Sequence, residues 1–204
     1  MIVSYNLQGV GDTLMLLLQD SKGQELTHTR KGDVASVSVK ETGDIVGWNI
    51  FSASKKITDL TGEGQINLSA TQLDELNQAV KEAGFEATFE LDNSPKFVVG
   101  FVKECEKHED SDHLSVTKIV VDQEEELQIV CGASNIREGL KLVVAKVGAM
   151  MPDGMIIWPG ELRGVKSDGM VCSARELQLP NAPEVKGILE LDDSYEVGAE
   201  FKLN

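Results

Sequence analysis

From Lys96 onward the chain is written in short β-prone runs separated by turn signals, and that rhythm limits its fold more than any other feature. The runs are Phe97 to Val102, Ser115 to Val121, Leu127 to Val130, Lys141 to Val147, Met155 to Ile157 and Ile188 to Leu191. Between them stand Gly139, Gly148, the turn tripeptide Pro152 to Gly154 and the pair Pro159-Gly160. Runs this short, broken by glycine and proline, do not leave room for the crossover helices of a parallel sheet. Five or six of them point instead to a small closed barrel.

The rhythm begins behind a break. Leu91-Asp92-Asn93-Ser94-Pro95 is polar and turn-prone, and proline disfavours helix in the residue before it. The expected division is a small α+β domain over 1–92 and an all-β domain over 93–204. In the first domain, Thr13 to Gln19, Val34 to Lys40 and Ile45 to Phe51 read as strands. Ser69 and Gln72 form a capping-box pattern ahead of Leu73, Leu76 and Val80, which share one helical face, and Gly84 supplies the stop. Nothing in this domain has the look of an active site beyond the thin pairing of His28 with Arg30.

Composition narrows the class. With 19 basic and 34 acidic residues the net charge is −15, which at first sight counts against a nucleic-acid binder. No run approaches the roughly 18 apolar residues of a membrane span, and the first residues lack a leader's basic and apolar segments, so the expected compartment is the cytoplasm with no membrane partner. Cys105, Cys131 and Cys172 are an odd count without a C-x-x-C pair, which disfavours a disulfide framework. Cys131 and Cys172 lie among apolar neighbours and are expected as buried small hydrophobes.

The acidity is uneven. Residues 93–136 carry 4 basic and 9 acidic residues, and 176–204 carry 2 and 7. Residues 137–175 carry 6 and 4, a net of +2. A positive face on an acidic body admits a polyanion at one place and repels it elsewhere. A solvated surface is the plainer alternative.

Three strings go further: KHEDSDHLSVTKIVVD (Lys107 to Asp122), LQIVCGASNIREGLKLVVAKVGAMMPDGMII (Leu127 to Ile157) and ELRGVKSDGMVCSARELQL (Glu161 to Leu179). Together they resemble the EMAP-II-like tRNA-binding domain, in the form found at the N-terminus of bacterial phenylalanyl-tRNA synthetase β-subunits. The resemblance covers Pro95 to Asn204 and implies an OB-type barrel that binds tRNA along one sheet face and its bordering loops. It also implies pairing of two copies, as in related free-standing modules.

The resemblance assigns residues. The family's Ser-x-Gly-Met signature falls on Ser167, Gly169 and Met170, with Ser173 closing the string and Arg163 and Lys166 just ahead of it. Serine hydroxyls bond phosphate or ribose, a thioether packs on an unstacked base, and Arg163 offers a bidentate phosphate contact. In CGASNIREG, Asn135 and Arg137 match the pattern, and Lys118 and Lys146 alternate with apolar neighbours on their strands. A turn with a buried Met, an Asn-led turn with a surface Arg, and half-apolar strands are the corresponding structural alternatives.

Cys105, His108 and His113 suggest zinc, but the spacing C-x2-H-x4-H lacks a fourth ligand and matches neither a ribbon nor a finger. A turn held by His108 and Asp112 is the expectation. His108, Asp112 and Leu114 match the family stretch, while His113 stands where it usually has a basic residue. Glu124 to Glu126 read as a solvated acidic turn rather than a catalytic pair. No nucleotide loop or triad order is present, so neither catalysis nor a cofactor is expected, and the resemblance together with the basic window implies a non-catalytic tRNA binder that reads shape and backbone. The alternative is an OB-type protein-interaction adaptor, with the first domain carrying a protein partner.

Overall fold

The computed structural model describes residues 1–92, 94–122, 125–184 and 186–203. It divides into two compact units, residues 1–93 and 94–204.

The first unit is an antiparallel sheet backed by a helix. Its strands are β1 (Ile2–Asn6), β2 (Thr13–Leu17), β3 (Leu26–Lys31), β4 (Val34–Val39), β5 (Ile45–Phe51) and β6 (Glu63–Gln65), in the order β3-β4-β5-β2-β1-β6. A four-residue helix α1 (Leu7–Val10) joins the first two strands, and α2 (Ala70–Glu82) follows the sheet. The capping box at α2 forms as the sequence predicts: Ser69 Oγ accepts from the Gln72 amide at 3.2 Å and Gln72 Oε1 accepts from the Ser69 amide at 3.0 Å. Helix α2 buries Leu76 and Val80 in a core with Leu14, Leu16, Trp48 and Ile50. Trp48 meets Phe85 and Phe89 edge-on, at centroid distances of 5.0 and 5.8 Å. The asparagine at 77 pins the same segment, bonding both the amide and the carbonyl of Phe89.

The second unit contains β7 (Phe97–Lys107), β8 (Ser115–Val120), β9 (Glu126–Cys131), β10 (Lys141–Ala145), β11 (Gly160–Leu162), β12 (Val165–Ser167), β13 (Met170–Val171) and β14 (Glu190–Leu191). One sheet runs β13-β10-β7-β8-β9, with β14 also on β10, and β11 and β12 form a separate hairpin. Strand β7 serves two partners: Phe97 to Phe101 pair with β10 and Phe101 to Lys107 with β8, across a register shift between Val102 and Glu104. Such an irregularity bends a strand and lets a sheet coil. At Gly100 a Cβ would sit 2.7 Å from both Ile119 and Val144, so only glycine lets the strand pass this close to its neighbours. Strand β10 is covered on both sides. Leu142 and Val144 enter one apolar cluster and Val143 and Ala145 another, which accounts for its unbroken apolar reading.

The strand ladder does not close into the expected barrel. β9 and β13 end the path. From β9 three discrete bonds reach the end of β12 and the residue after it: the Asp168 amide to the Gln128 carbonyl at 2.8 Å, Gln128 Nε2 to the Lys166 carbonyl at 2.9 Å, and the Val130 amide to Ser167 Oγ at 3.1 Å. Two expected strands also shrink. Met155 to Ile157 contributes one bridge, Met150 to Ile156, and of Ile188 to Leu191 only the last two residues pair.

Candidate nucleic-acid interface

Ser167, Gly169 and Met170 form a corner. Strand β12 ends at Ser167, and the backbone turns through Gly169 at φ +143°, where a Cβ would stand 3.0 Å from the Ala145 carbonyl oxygen and 3.1 Å from Ile129. Glycine is the residue that permits this approach. Met170 then starts β13 opposite Ala145. Ser167 is 5% exposed, and its hydroxyl accepts from the Val130 amide while donating to the Gly169 carbonyl at 3.4 Å. Its bonds therefore go first to the seam beside β9.

A cleft of about 680 Å³ opens at this corner. Val130, Ile157, Met170, Val171 and Ile188 supply apolar lining, with Trp158 and Met155 alongside. Its polar lining includes Ser173, Arg175, Glu176 and Lys186. Ser173 begins a reciprocal cap on the turn that follows: its Oγ accepts from the Glu176 amide at 3.2 Å, and the Glu176 carboxylate accepts from the Ser173 amide at 2.7 Å. That S-x-x-E pattern is visible in the sequence and presents Arg175 on an exposed turn.

Of the residues singled out from the sequence, Ser167, Met170 and Ser173 line this cleft, whereas Lys118, Asn135, Arg137, Lys146, Arg163 and Lys166 do not. Three of the expected cations have acidic partners. Lys118 on β8 pairs with Glu104 on β7 at 2.6 Å, a bond that raises the lysine's pKa and lowers the carboxylate's. Lys146 pairs with Glu125. Arg137 grips Glu190 with two nitrogens, at 3.1 and 2.9 Å, and that bond first, then one from Asn135, holds the Glu190 carboxyl below its ordinary range. Asn135 also clamps Ile188, donating to its carbonyl at 3.1 Å and accepting from its amide at 3.0 Å. These two residues anchor the segment leading into β14 rather than standing free.

Arg163 and Gly164, at φ +48° and +83°, make the two-residue turn between β11 and β12, the left-handed pair that a tight hairpin requires. Arg163 Nη1 donates to the Asp110 carbonyl at 3.0 Å. Lys166 is exposed on β12. Among the described residues Arg163, Lys166, Arg175 and Lys186 take part in no salt bridge. Arg175 and Lys186 are the cations at the cleft that residue-by-residue matching to the family pattern passed over. Arg175 closed the basic window, and Lys186 lay hidden in the acidic segment after it.

The KHEDSDHL stretch is a turn held by His108, which is 4% exposed. Its Nδ1 accepts from the Asp110 amide at 3.0 Å, which leaves Nε2 as the protonated nitrogen facing the Leu162 carbonyl at 3.2 Å. Ser111, which caps the His113 amide, takes the place anticipated for Asp112. Among the described residues no group of three or more His, Cys, Asp or Glu gathers as metal ligands do. Cys131 and Cys172 are buried, and burial raises both thiols, Cys172 to about 12. Of the anticipated acidic turn at 124–126, Glu124 lies outside the described residues, and Glu126 opens β9 and pairs with Lys103. No helix among the described residues is long and apolar enough to cross a membrane.

A family model described as "Putative tRNA binding domain" matches residues 97–200, and one described as a domain of unknown function (DUF4479) matches residues 21–92. The second unit thus carries a domain of the tRNA-binding class. Over 198 residues the chain is 50% identical to the "Putative tRNA-binding protein YtpR" of Bacillus subtilis, covering 97% of this chain and 98% of that one. The chain belongs to the YtpR family. The phenylalanine–tRNA ligase beta subunit of Sulfurimonas denitrificans is 42% identical over 68% of this chain, which spans 18% of that subunit's length. The MetRS related protein from Pyrococcus horikoshii aligns in structure with 56% of this chain and 100% of its own, at a TM-score of 0.40 and 22% identity.

Proposed function

We propose that this protein is a non-catalytic tRNA-binding protein whose second unit, an OB-type coiled sheet left open between β9 and β13, grips tRNA by shape and backbone. The observation that carries this reading is the cleft at the Ser167-Gly169-Met170 corner, lined in part by Arg175 and Lys186, two cations that among the described residues take part in no salt bridge, in a chain of net charge −15. Apolar lining beside unpaired cations suits nucleic acid: phosphates take the charge, and bases or riboses take the surface. The cations are few, so the expected affinity is modest and falls steeply with salt.

Fluorescence anisotropy of labelled tRNA titrated with the full chain at low salt is the test. Saturable binding that weakens as salt rises is expected, and weaker binding by an Arg175→Ala, Lys186→Ala variant. An absence of saturable binding at low salt overturns the reading. So does a partner protein that stays bound after nuclease treatment of a chain with no affinity for tRNA, which points to an adaptor.

A further inference from the structure

We infer that the cleft beside Met170 receives a single unstacked nucleobase of the bound RNA, with the adjoining phosphates held by Arg175 and Lys186. This rests on the tRNA-binding reading above and specifies what enters the site.

Three features point to a base rather than a phosphate or a helical backbone. First, the lining is mainly apolar and includes an indole, Trp158, that is only half-buried, so part of it remains available to a ligand. A base has two flat faces that stack on indole and pack on thioether sulfur, whereas a phosphate gains nothing from either. Second, Met155 and Met170 both line the cleft, and Met155 is 46% exposed. An exposed methionine at a concave site adapts to flat ligands of differing size, which suits recognition without a strict sequence code. Third, Glu176 lines the cleft together with Arg175 and Lys186, so the site is not a purely cationic phosphate cradle, and among the described residues the two cations are exposed and take part in no salt bridge.

Polar discrimination comes from Ser173. Its oxygen accepts from the Glu176 amide, and its own proton remains to be donated to a base nitrogen or carbonyl. At about 680 Å³ the cleft falls within the range of sites that enclose small organic ligands. Bases within a duplex are stacked and paired, so the occupant must come from a loop, a bulge or an end.

The chain has two tryptophans, Trp48 in the first unit and Trp158 at the cleft, so Trp48→Phe leaves an indole reporter at the site. The experiment titrates this full-length variant with a single-stranded RNA hexanucleotide and, separately, with a blunt duplex of equal length, following indole emission. Quenching by the single strand and none by the duplex is expected. In the otherwise native chain Trp158→Leu should weaken single-strand binding about tenfold, and Trp158→Phe should restore most of it. Cross-linking of 4-thiouridine-containing RNA to the unmodified chain, mapped by mass spectrometry, gives a readout independent of either variant's folding, and the expected adduct lies within residues 155–173.

Native tRNA affinity in Trp158→Leu, equal responses to single strand and duplex, or adducts confined to other segments would each overturn the inference while leaving tRNA binding intact. Failure of the unmodified chain to bind tRNA overturns the broader reading instead, so the two failures are distinguishable.

Discussion

The hydroxyl of Ser167 stands 3.1 Å from the amide nitrogen of Val130 and accepts its proton, at the place where a neighbouring strand would otherwise supply a carbonyl. The relationship gives Ser167 a task within the fold. The β9 edge would leave that amide unpaired, and Ser167 satisfies it while its own proton goes to Gly169. Met170, three residues on, is then delivered to the cleft by the same corner.

Ser167→Ala should therefore act on stability first. It removes the acceptor from a buried N–H, a loss of about 1–3 kcal/mol. Urea denaturation followed by circular dichroism should show a lower midpoint with an unchanged slope. Full stability together with lost RNA affinity would place the hydroxyl on the ligand instead.

His108 ties the β7–β8 turn to the hairpin that carries Arg163 and Lys166. Its ring joins the Asp110 amide to the Leu162 carbonyl, and Arg163 returns a bond to the Asp110 carbonyl. His108→Phe keeps the bulk and removes both ring bonds. Amides of residues 160–167 should then exchange with deuterium faster than in the native chain, while those of β7 and β10 remain protected. Unchanged exchange in the hairpin would mean that its bonds from β9 and the Arg163 bond to Asp110 suffice to hold it.

These ties show which parts of the molecule could be read from the sequence. Helix α2 was legible because its cap and its apolar spacing are local, and β10 because an unbroken Leu142-Val143-Val144-Ala145 run admits few alternatives. Strand β3 was not, since Leu26–Lys31 is an edge strand exposed along its whole length and carries no alternation to detect. The β11–β12 hairpin escaped notice because its strands have three residues each and its turn places Arg163, rather than Asn or Gly, in the left-handed region. The site divides similarly. Met170 and Ser173 belong to a contiguous motif, and the chain brings both to the cleft lining. The partners of Lys118, Lys146 and Arg137 are Glu104, Glu125 and Glu190, which come together only through strand pairing and chain return.

Acid should loosen the end of the second unit. Bonds from Arg137 and then Asn135 hold the folded Glu190 carboxyl below the unfolded value of about 4.3. A carboxyl lowered in the folded state contributes its stability above the unfolded pKa and loses it as pH falls through the folded one. In the first unit Asp12 titrates in the same sense: burial opposes its ionisation, and bonds from Ser54 and Tyr5 outweigh that burial. Melting temperatures taken from about pH 5 to about pH 3 should fall, and Glu190→Gln should flatten the part of the decline it contributes. A decline of equal steepness in Glu190→Gln would assign the acid sensitivity elsewhere.

Ion pairing sorts the cations into two groups with different expected salt effects. Lys118 is already bonded to Glu104, and Lys146 to Glu125, so a phosphate reaching either must compete with a carboxylate already in place. Arg175 and Lys186 have no such competitor among the described residues. Removing one cation that neutralises a phosphate should lower the slope of log affinity against log salt by about 1, so Arg175→Ala with Lys186→Ala should lower it by about 2. Lys118→Ala should leave the slope close to native, because it removes a charge that Glu104 already offsets. The reciprocal change, Glu104→Gln, frees Lys118 and should strengthen low-salt binding to tRNA. A larger slope change from Lys118→Ala than from the Arg175 and Lys186 pair would move the interface from the cleft to the outer face of β8.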